Sequence, residues 1–408
     1  MAGMPCRIDT SAPAAAPSVG PLPEALAWIE GEIDALRAAG LERPARVREG
    51  RQAGEVCLDG RTLVNFGSND YLGYAGDVRL TKAASKGSCA EGFGAGASPL
   101  VSGHSQAHEV LERSLARLLG VEAALVFPSG YAANTATIAA LAGAEDFIAS
   151  DERNHASIID GCRLSRARIG IFPHRDLAAL DALLTTARDA RRRLIVTDTL
   201  FSMDGTIAPL AGLADLARKH SAMLLVDEAH ATGVFGARGS GLVEETATAD
   251  GVHVRVGTLS KALGAAGGFV AGNATFIHWL RHKARAWMFS TAHPPGVAAA
   301  ATRAIALVEQ EPDRRRDLVV RAADFTARLR HAGLDIGGAE AQIVPVIVGA
   351  PHAAVNLAEQ LFDEGFFVPA IRPPSVPAGG SLVRVSLSWL HEPRDLARLA
   401  KVLAAHAC

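Results

Sequence analysis

Three residues in the middle of the chain have the types and order to do chemistry together. They are Asp227 and His230, in Leu224-Leu225-Val226-Asp227-Glu228-Ala229-His230, and Lys261, in Thr258-Leu259-Ser260-Lys261-Ala262-Leu263-Gly264. Asp227 closes an apolar run of the kind that fills a parallel sheet and Lys261 follows the β-type run 252–256; open α/β sheets bind ligands at the carboxyl ends of their strands. A buried ammonium costs several kcal/mol unless it is paired or neutral. A desolvated lysine therefore has a lowered pKa and becomes a nucleophile able to form a Schiff base. Alone, Lys261 reads as a surface lysine, Asp227 as a helix cap and His230 as a satisfied core histidine. Together they meet the needs of pyridoxal phosphate: an amine for the aldehyde, a carboxylate for the pyridinium nitrogen and a donor near the phenolic oxygen.

Such a cofactor also needs a phosphate cradle and a stacking group. Phe127-Pro128-Ser129-Gly130-Tyr131-Ala132-Ala133-Asn134 reads as a strand end, a turn and a helix start. Free backbone N–H groups and the helix dipole bind phosphate at such a start, and Gly130 permits close approach of the backbone. His155 follows the strand-like Phe147-Ile148-Ala149 and is suited to lie flat on the pyridine ring.

These residues have to be positioned by a sheet. Strands are expected over 124–127, 147–149, 169–172, 194–197, 223–226, 252–256 and 268–271, alternating with helices. That rhythm implies an α/β fold, a mostly parallel seven-stranded sheet with helices on both faces. Residues 24–39 carry Leu26, Ile29, Ile33 and Leu36 at helical spacing, with Gly40 as the stop, and 56–66 reads as a hairpin around Asp59-Gly60. The last hundred residues change pattern: helices over 294–310 and 314–332, strands over 343–348, 367–370 and 382–387, and a closing helix over 393–404. The expected organisation is a flexible Ala/Pro/Ser-rich tail (1–23), a helix and hairpin segment (24–75), a large cofactor domain (76–300) and a small α+β domain (301–408).

Composition excludes several classes. With 41 basic against 43 acidic residues, no electrostatic case exists for a nucleic-acid partner. The five cysteines are scattered without a C-x-x-C pair, which suits reduced thiols in a cytoplasm and argues against a disulfide framework or a zinc site. No apolar stretch reaches the roughly 18 residues of a membrane helix, and the tail lacks the continuous apolar core of a secretion signal. Neither a G-x-S-x-G elbow nor an H-E-x-x-H helix occurs, and the glycines at 92–96 have neither P-loop nor dinucleotide spacing.

From about Leu41 onward the chain resembles the α-oxoamine synthases, pyridoxal-phosphate enzymes of fold type I that condense an amino acid with an acyl thioester and lose CO2. The resemblance rests on Asn65-Phe66-Gly67-Ser68-Asn69-Asp70-Tyr71-Leu72-Gly73, 127–134, Asn154-His155-Ala156-Ser157, Phe201-Ser202-Met203-Asp204-Gly205, Asp227-Glu228-Ala229-His230-Ala231-Thr232-Gly233 and Thr258-Leu259-Ser260-Lys261. It implies that Lys261 binds the cofactor covalently and later abstracts the α-proton, and that Asp227 keeps the pyridine nitrogen protonated. It further implies that His230 and Thr258 bond the cofactor's oxygen and phosphate, that Ser202 lies near the phenolic oxygen, that Gly130 and Tyr131 supply the phosphate end, and that His155 stacks on the ring. Arg384 matches the arginine that binds the substrate carboxylate, a role a bidentate guanidinium suits. Arg43 matches an arginine that meets the acyl substrate. The family is dimeric with a shared site, so Ser290 and Thr291 are expected to reach the partner's phosphate.

Within the family, Ala370-Ile371-Arg372-Pro373-Pro374-Ser375-Val376-Pro377-Ala378-Gly379 is similar to the element of members that take L-alanine and a pimeloyl thioester, carried on coenzyme A or a carrier protein. Ser375 stands where those members have Thr and keeps the hydroxyl; Arg372 and Ser375 are expected beside the acyl substrate. The alternatives are another α-oxoamine synthase, such as a glycine C-acetyltransferase, or a binding protein that kept the fold and lost catalysis. The intact Lys261, Asp227 and His230 argue against the second.

Overall fold

The computed structural model describes residues 22–407; residues 1–21 of the expected tail, with Cys6, and also Cys408, lie outside the described residues. The chain packs as two units, Met1–Pro44 and Ala45–Cys408. In the first, a short turn of 3-10 helix, Glu24–Leu26, leads into an α-helix, Trp28–Ala38, and Gly40 takes a positive φ of 65° just past its end.

The second unit opens with a small antiparallel meander of β1 (Arg48–Glu49), β2 (Glu55–Leu58) and β3 (Arg61–Asn65). The turn joining β2 to β3 puts Asp59 and Gly60 at φ 52° and 73°, the positive values a two-residue hairpin turn demands.

Seven strands follow: β4 (Ala123–Phe127), β5 (Phe147–Asp151), β6 (Arg168–Phe172), β7 (Arg193–Asp198), β8 (Met223–Asp227), β9 (Val254–Thr258) and β10 (Gly268–Gly272). They form one sheet in the order β4-β10-β9-β8-β7-β5-β6, parallel throughout except for β10, which runs antiparallel to both neighbours. Side chains alternate between two cores. Ile195, Leu224 and Val226 face one helical layer; Leu194, Val196 and Leu225 face the other. Each such fully buried side chain contributes about 1.5–3 kcal/mol. Because both faces are apolar, polar residues are tolerated chiefly at strand ends, and the carboxyl ends of β7, β8 and β9 carry Asp198, Asp227 and Thr258.

The C-terminal part supplies a second small sheet of β11 (Ile343–Gly349), β13 (Ala370–Ile371) and β14 (Ser381–Ser386), while β12 (Phe366–Phe367) joins the meander beside β3. The single strand expected over 367–370 is thus divided between two sheets. The expected strand over 252–256 begins instead at Val254, because the ring of His253 turns back to accept the Leu224 N–H (3.0 Å). The helix Pro351–Asp363, unanticipated, buries Ala354, Leu357 and Leu361 at helical spacing. The expected boundary at 300/301 falls inside the helix Pro295–Gln310.

Candidate active site

Asp227 closes β8, where the strand stops and its side chain takes over the hydrogen bonding. Its Oδ1 accepts from the Ala229 N–H (2.8 Å) and its Oδ2 from Asn134 Nδ2 (2.6 Å). Glu228 turns away from it into a buried pair with Arg255 (2.6 Å from Nε) and accepts the Val243 N–H (2.9 Å). That anchor fixes the turn that returns His230 to the same end of the sheet, closed by Ala231 and Thr232 N–H groups on the Glu228 carbonyl.

Lys261 sits in the tight connection from β9 to β10. Leu259 N–H bonds the Gly267 carbonyl, Ala265 N–H the Leu259 carbonyl and Gly264 N–H the Lys261 carbonyl, at 2.8–2.9 Å. The amine lies 2.8 Å from His230 Nε2. Burial brings its pKa down to about 8, against the opposing pull of the Asp227 and Asp198 charges. At pH 7 about one amine in ten is then neutral, against roughly one in three thousand for an ordinary lysine.

His155 caps the helix Ala156–Ser165. Its N–H donates to Asp198 Oδ2 (2.7 Å), and its Nδ1 lies 2.7 Å from Ser157 Oγ, which accepts from Asn134 (2.9 Å). Burial holds the ring below its ordinary pKa, with Asp227 pulling the other way. Tyr131 approaches it edge-on, with 6.5 Å between ring centres. Asp198 stands opposite Asp227 on the adjacent strand. Its complete burial, and then the Asp227 charge, hold its carboxyl well above the usual range.

The helix Gly130–Leu141 starts beside Thr258. Ser129 caps it by accepting the Ala132 N–H (3.0 Å), which leaves the N–H groups of Gly130 and Tyr131 at the helix start. A Cβ on Gly130 would meet Thr258 Cβ at 3.3 Å, and one on Gly268 would meet Gly130 N at 2.4 Å. The backbone approach to this helix start therefore requires glycine at 268. Thr258 Oγ1 donates to the Gly267 carbonyl (2.8 Å) and lies 2.8 Å from Ser260 Oγ.

Arg384, buried on β14, reaches the cluster from the C-terminal part. It donates to the Ser202 carbonyl (3.1 Å) and to Asn69 Oδ1 (3.3 Å), and its Nε is buried without a partner. Burial lowers its pKa, and its charge in turn depresses that of Lys261. Lys261, Asp227, His230, His155, Ser202 and Arg384 are thus drawn together, with Gly130, Tyr131 and Thr258 at the neighbouring helix start. Arg372 and Ser375 occupy the turn after β13, next to the strand of Arg384. Arg43 falls in the first unit, and Thr291 is exposed in a stretch tied down by the Ala292 N–H on the Ala97 carbonyl (3.0 Å). Sequence reasoning gave no role to Tyr71, Asn69, Asn134, Ser157 or Asp198. Asp198 had the signal that singled out Asp227, a carboxylate ending an apolar run; the others became visible only as contacts.

The donor set fits pyridoxal phosphate. A desolvated amine, a carboxylate fixed by two donors, a helix start opened by glycine and a buried guanidinium with a spare N–H face one end of the sheet.

The sequence profile of the family described as aminotransferase class I and II matches residues 61–403. An 8-amino-7-oxononanoate synthase from Citrifermentans bemidjiense is 47% identical over 374 residues, covering 91% of this chain and 96% of the relative. Among solved structures, a serine palmitoyltransferase from S. paucimobilis with a bound PLP–myriocin aldimine superposes with a TM-score of 0.88 at 31% identity, covering 94% of this chain and 97% of that one. An 8-amino-7-oxononanoate synthase from Francisella tularensis superposes with a TM-score of 0.73 at 26% identity, covering 84% and 97%.

Proposed function

The chain belongs to the class I and II aminotransferase family and, within it, to the 8-amino-7-oxononanoate synthases, pyridoxal-phosphate-dependent acyltransferases of biotin biosynthesis; on that premise we propose the following reaction and division of labour. The substrates are L-alanine and a pimeloyl thioester, on coenzyme A or a carrier protein. A bond forms between the alanine Cα and the thioester carbonyl carbon, the thiol leaves, and the alanine carboxylate departs as CO2, giving 8-amino-7-oxononanoate.

When bound, pyridoxal phosphate supplies an electron sink for the carbanion at the alanine Cα. Lys261 holds the cofactor and takes the Cα proton, a task suited to an amine titrating at about 8. Asp227, held by Ala229 and Asn134, presents a fixed negative charge to the pyridine nitrogen. His155 covers the ring face, and the Gly130 and Tyr131 N–H groups with Thr258 receive the phosphate. Arg384 clamps the α-carboxylate, which sets the angle of the bond to be broken, a positioning effect. Ser202, beside Arg384, lies near the phenolic oxygen. Arg43, Arg372 and Ser375 serve the acyl chain.

The assembly is a homodimer in which Thr291 meets the partner's phosphate. Its support is that Thr291 is exposed and that the turn Pro99–Gly103, with exposed Leu100 and Val101, packs on the helix ending at exposed Phe289. Residues 76–300 act as the cofactor domain and 301–408 as the small domain. We place the enzyme in the cytoplasm, consistent with free thiols at Cys57, Cys89 and Cys162. Among the described residues no helix is long and apolar enough to cross a membrane.

The observation that carries this reading is the buried Lys261 amine on His230, within the fields of Asp227 and Arg384. The test mixes purified protein with L-alanine and pimeloyl-CoA, or with glycine and acetyl-CoA, and seeks the aminoketone by mass spectrometry. Product from the second pair alone would move the chain to the glycine C-acetyltransferases.

A further inference from the structure

His155 stands at the start of the helix Ala156–Ser165, and two donors meet its Nδ1 there. The Ser157 N–H donates to it (3.3 Å), and the Ser157 hydroxyl lies 2.7 Å away. Ser157 is completely buried, and its oxygen is also 2.9 Å from Asn134 Nδ2, which donates as well to Asp227 Oδ2 (2.6 Å). His155 and Asp227 are therefore joined, through Ser157 and Asn134, by three hydrogen bonds in series.

The direction of each bond follows from its ends. A carboxylate only accepts, so Asn134 turns its amide nitrogen to Asp227. That nitrogen gives its second hydrogen to Ser157 Oγ, and Asn134 Oδ1 is left buried without a partner. The Ser157 proton then has one acceptor among its contacts, His155 Nδ1. The Ser157 N–H can only donate, and it meets the same atom. Nδ1 must therefore keep its lone pair, and the ring's one proton sits on Nε2, which bonds no group among the described residues. An imidazolium would need a hydrogen on Nδ1, against two donors and at the positive end of a helix. The ring is surrounded by Asp198 on β7, which accepts the His155 N–H, by Asp227 on β8, by His230 and Lys261 on the turns beyond β8 and β9, and by Tyr131. Burial first of all keeps a proton off the ring; Asp227 draws one on, and Lys261 repels it.

We propose that Ser157, oriented by Asn134, is a positioning residue that holds His155 neutral as the Nε2–H tautomer. The consequence lies in what His155 covers. Asp227 is assigned to a protonated pyridine nitrogen, and an imidazolium stacked on that cationic ring would repel it. Asn134 serves both groups: one hydrogen goes to the carboxylate that must face a cation, the other to the hydroxyl that keeps the histidine from becoming one. The effect on turnover rests on the reading of His155 as the cover of the cofactor ring; the tautomer and its dependence on Ser157 do not.

The test has two arms. In cofactor-free protein labelled with 15N-histidine, His155, assigned by the signal lost in His155→Gln, is expected to be neutral at pH 7, with a bare Nδ1 and a proton on Nε2. Ser157→Ala removes one of the two donors and leaves the backbone N–H. The tautomer is then expected to stay, while the proton affinity of the ring, followed by the same signals against pH, rises about three- to tenfold, the effect of one hydrogen bond. In the loaded enzyme the acidic limb of the kcat–pH profile is expected to move to higher pH by the same factor, because His155 becomes charged earlier as pH falls. An Nδ1–H tautomer or an imidazolium in the wild-type protein at pH 7 overturns the proposal, whether or not the variant folds. So does a folded Ser157→Ala protein whose His155 titrates as in the wild type. A shifted titration with an unmoved rate profile would support the role of Ser157 and strike instead at the placement of His155 over the cofactor.

Discussion

Replacing Arg384 by lysine separates positioning from charge. The guanidinium already spends two N–H groups on the Ser202 carbonyl and Asn69 Oδ1, and its buried Nε is left to meet a substrate carboxylate together with a second N–H. A charge-assisted hydrogen bond contributes about 1.5–3 kcal/mol, so a two-pronged contact is worth about 3–6 kcal/mol. Lysine keeps the charge and loses the fork, which removes about half of that. At 1.4 kcal/mol per tenfold, KM for L-alanine should rise roughly ten- to a hundredfold. The KM for pimeloyl-CoA should hardly change, because the acyl chain is assigned to other residues. Steady-state kinetics with each substrate varied in turn measures both numbers, and a melting curve checks that the variant folds. Unchanged KM for alanine, or equal rises for both substrates in a folded variant, would refute the assignment of Arg384 to the carboxylate.

Three further outcomes are expected. In cofactor-free protein the reaction of Lys261 with a small acylating reagent, followed by peptide mass spectrometry, should rise with pH around a midpoint near 8; a midpoint above 10 would mean that the amine is not desolvated. Gly268→Ala drives a methyl group into the Gly130 backbone, so the affinity for pyridoxal phosphate, followed by fluorescence titration, should fall more than about tenfold; unaltered affinity would detach this helix start from the phosphate. His391 is buried between the Ser388 N–H and the Asn65 carbonyl, and its pKa is depressed by burial to about 4. The unfolded chain takes up that proton near 6.5, so the contribution is fully present above that pH. It is lost as pH falls toward 4, by up to about 3 kcal/mol. Urea unfolding at pH 7, 5.5 and 4.5 should show the decline, and His391→Gln should flatten it; parallel slopes in the two proteins would contradict the account.

The parts of this protein that could be read from sequence are those where one period or one residue type decides the outcome. Apolar runs such as 194–197 and 223–226 leave little besides a buried strand, and a carboxylate at the end of such a run is conspicuous. Asp59-Gly60 dictates its turn. What escaped is set by contacts between distant segments. His253 leaves its strand because its ring has a partner at Leu224, and 366–371 divides because two sheets compete for it. Tyr71 belongs to a stretch singled out for its resemblance, but its buried contact is with a histidine 159 positions away, which only the fold brings to it. Asp198 carries the same signal as Asp227, a carboxylate closing an apolar run, but no histidine follows it to mark the strand end.

The most direct test of the central claim is chemical. The enzyme is loaded with pyridoxal phosphate, reduced with borohydride, digested and mapped. The pyridoxyl group is predicted on the peptide containing Lys261, at that residue alone. A label on another lysine, or none in a protein that still makes the aminoketone, would contradict the account at its base.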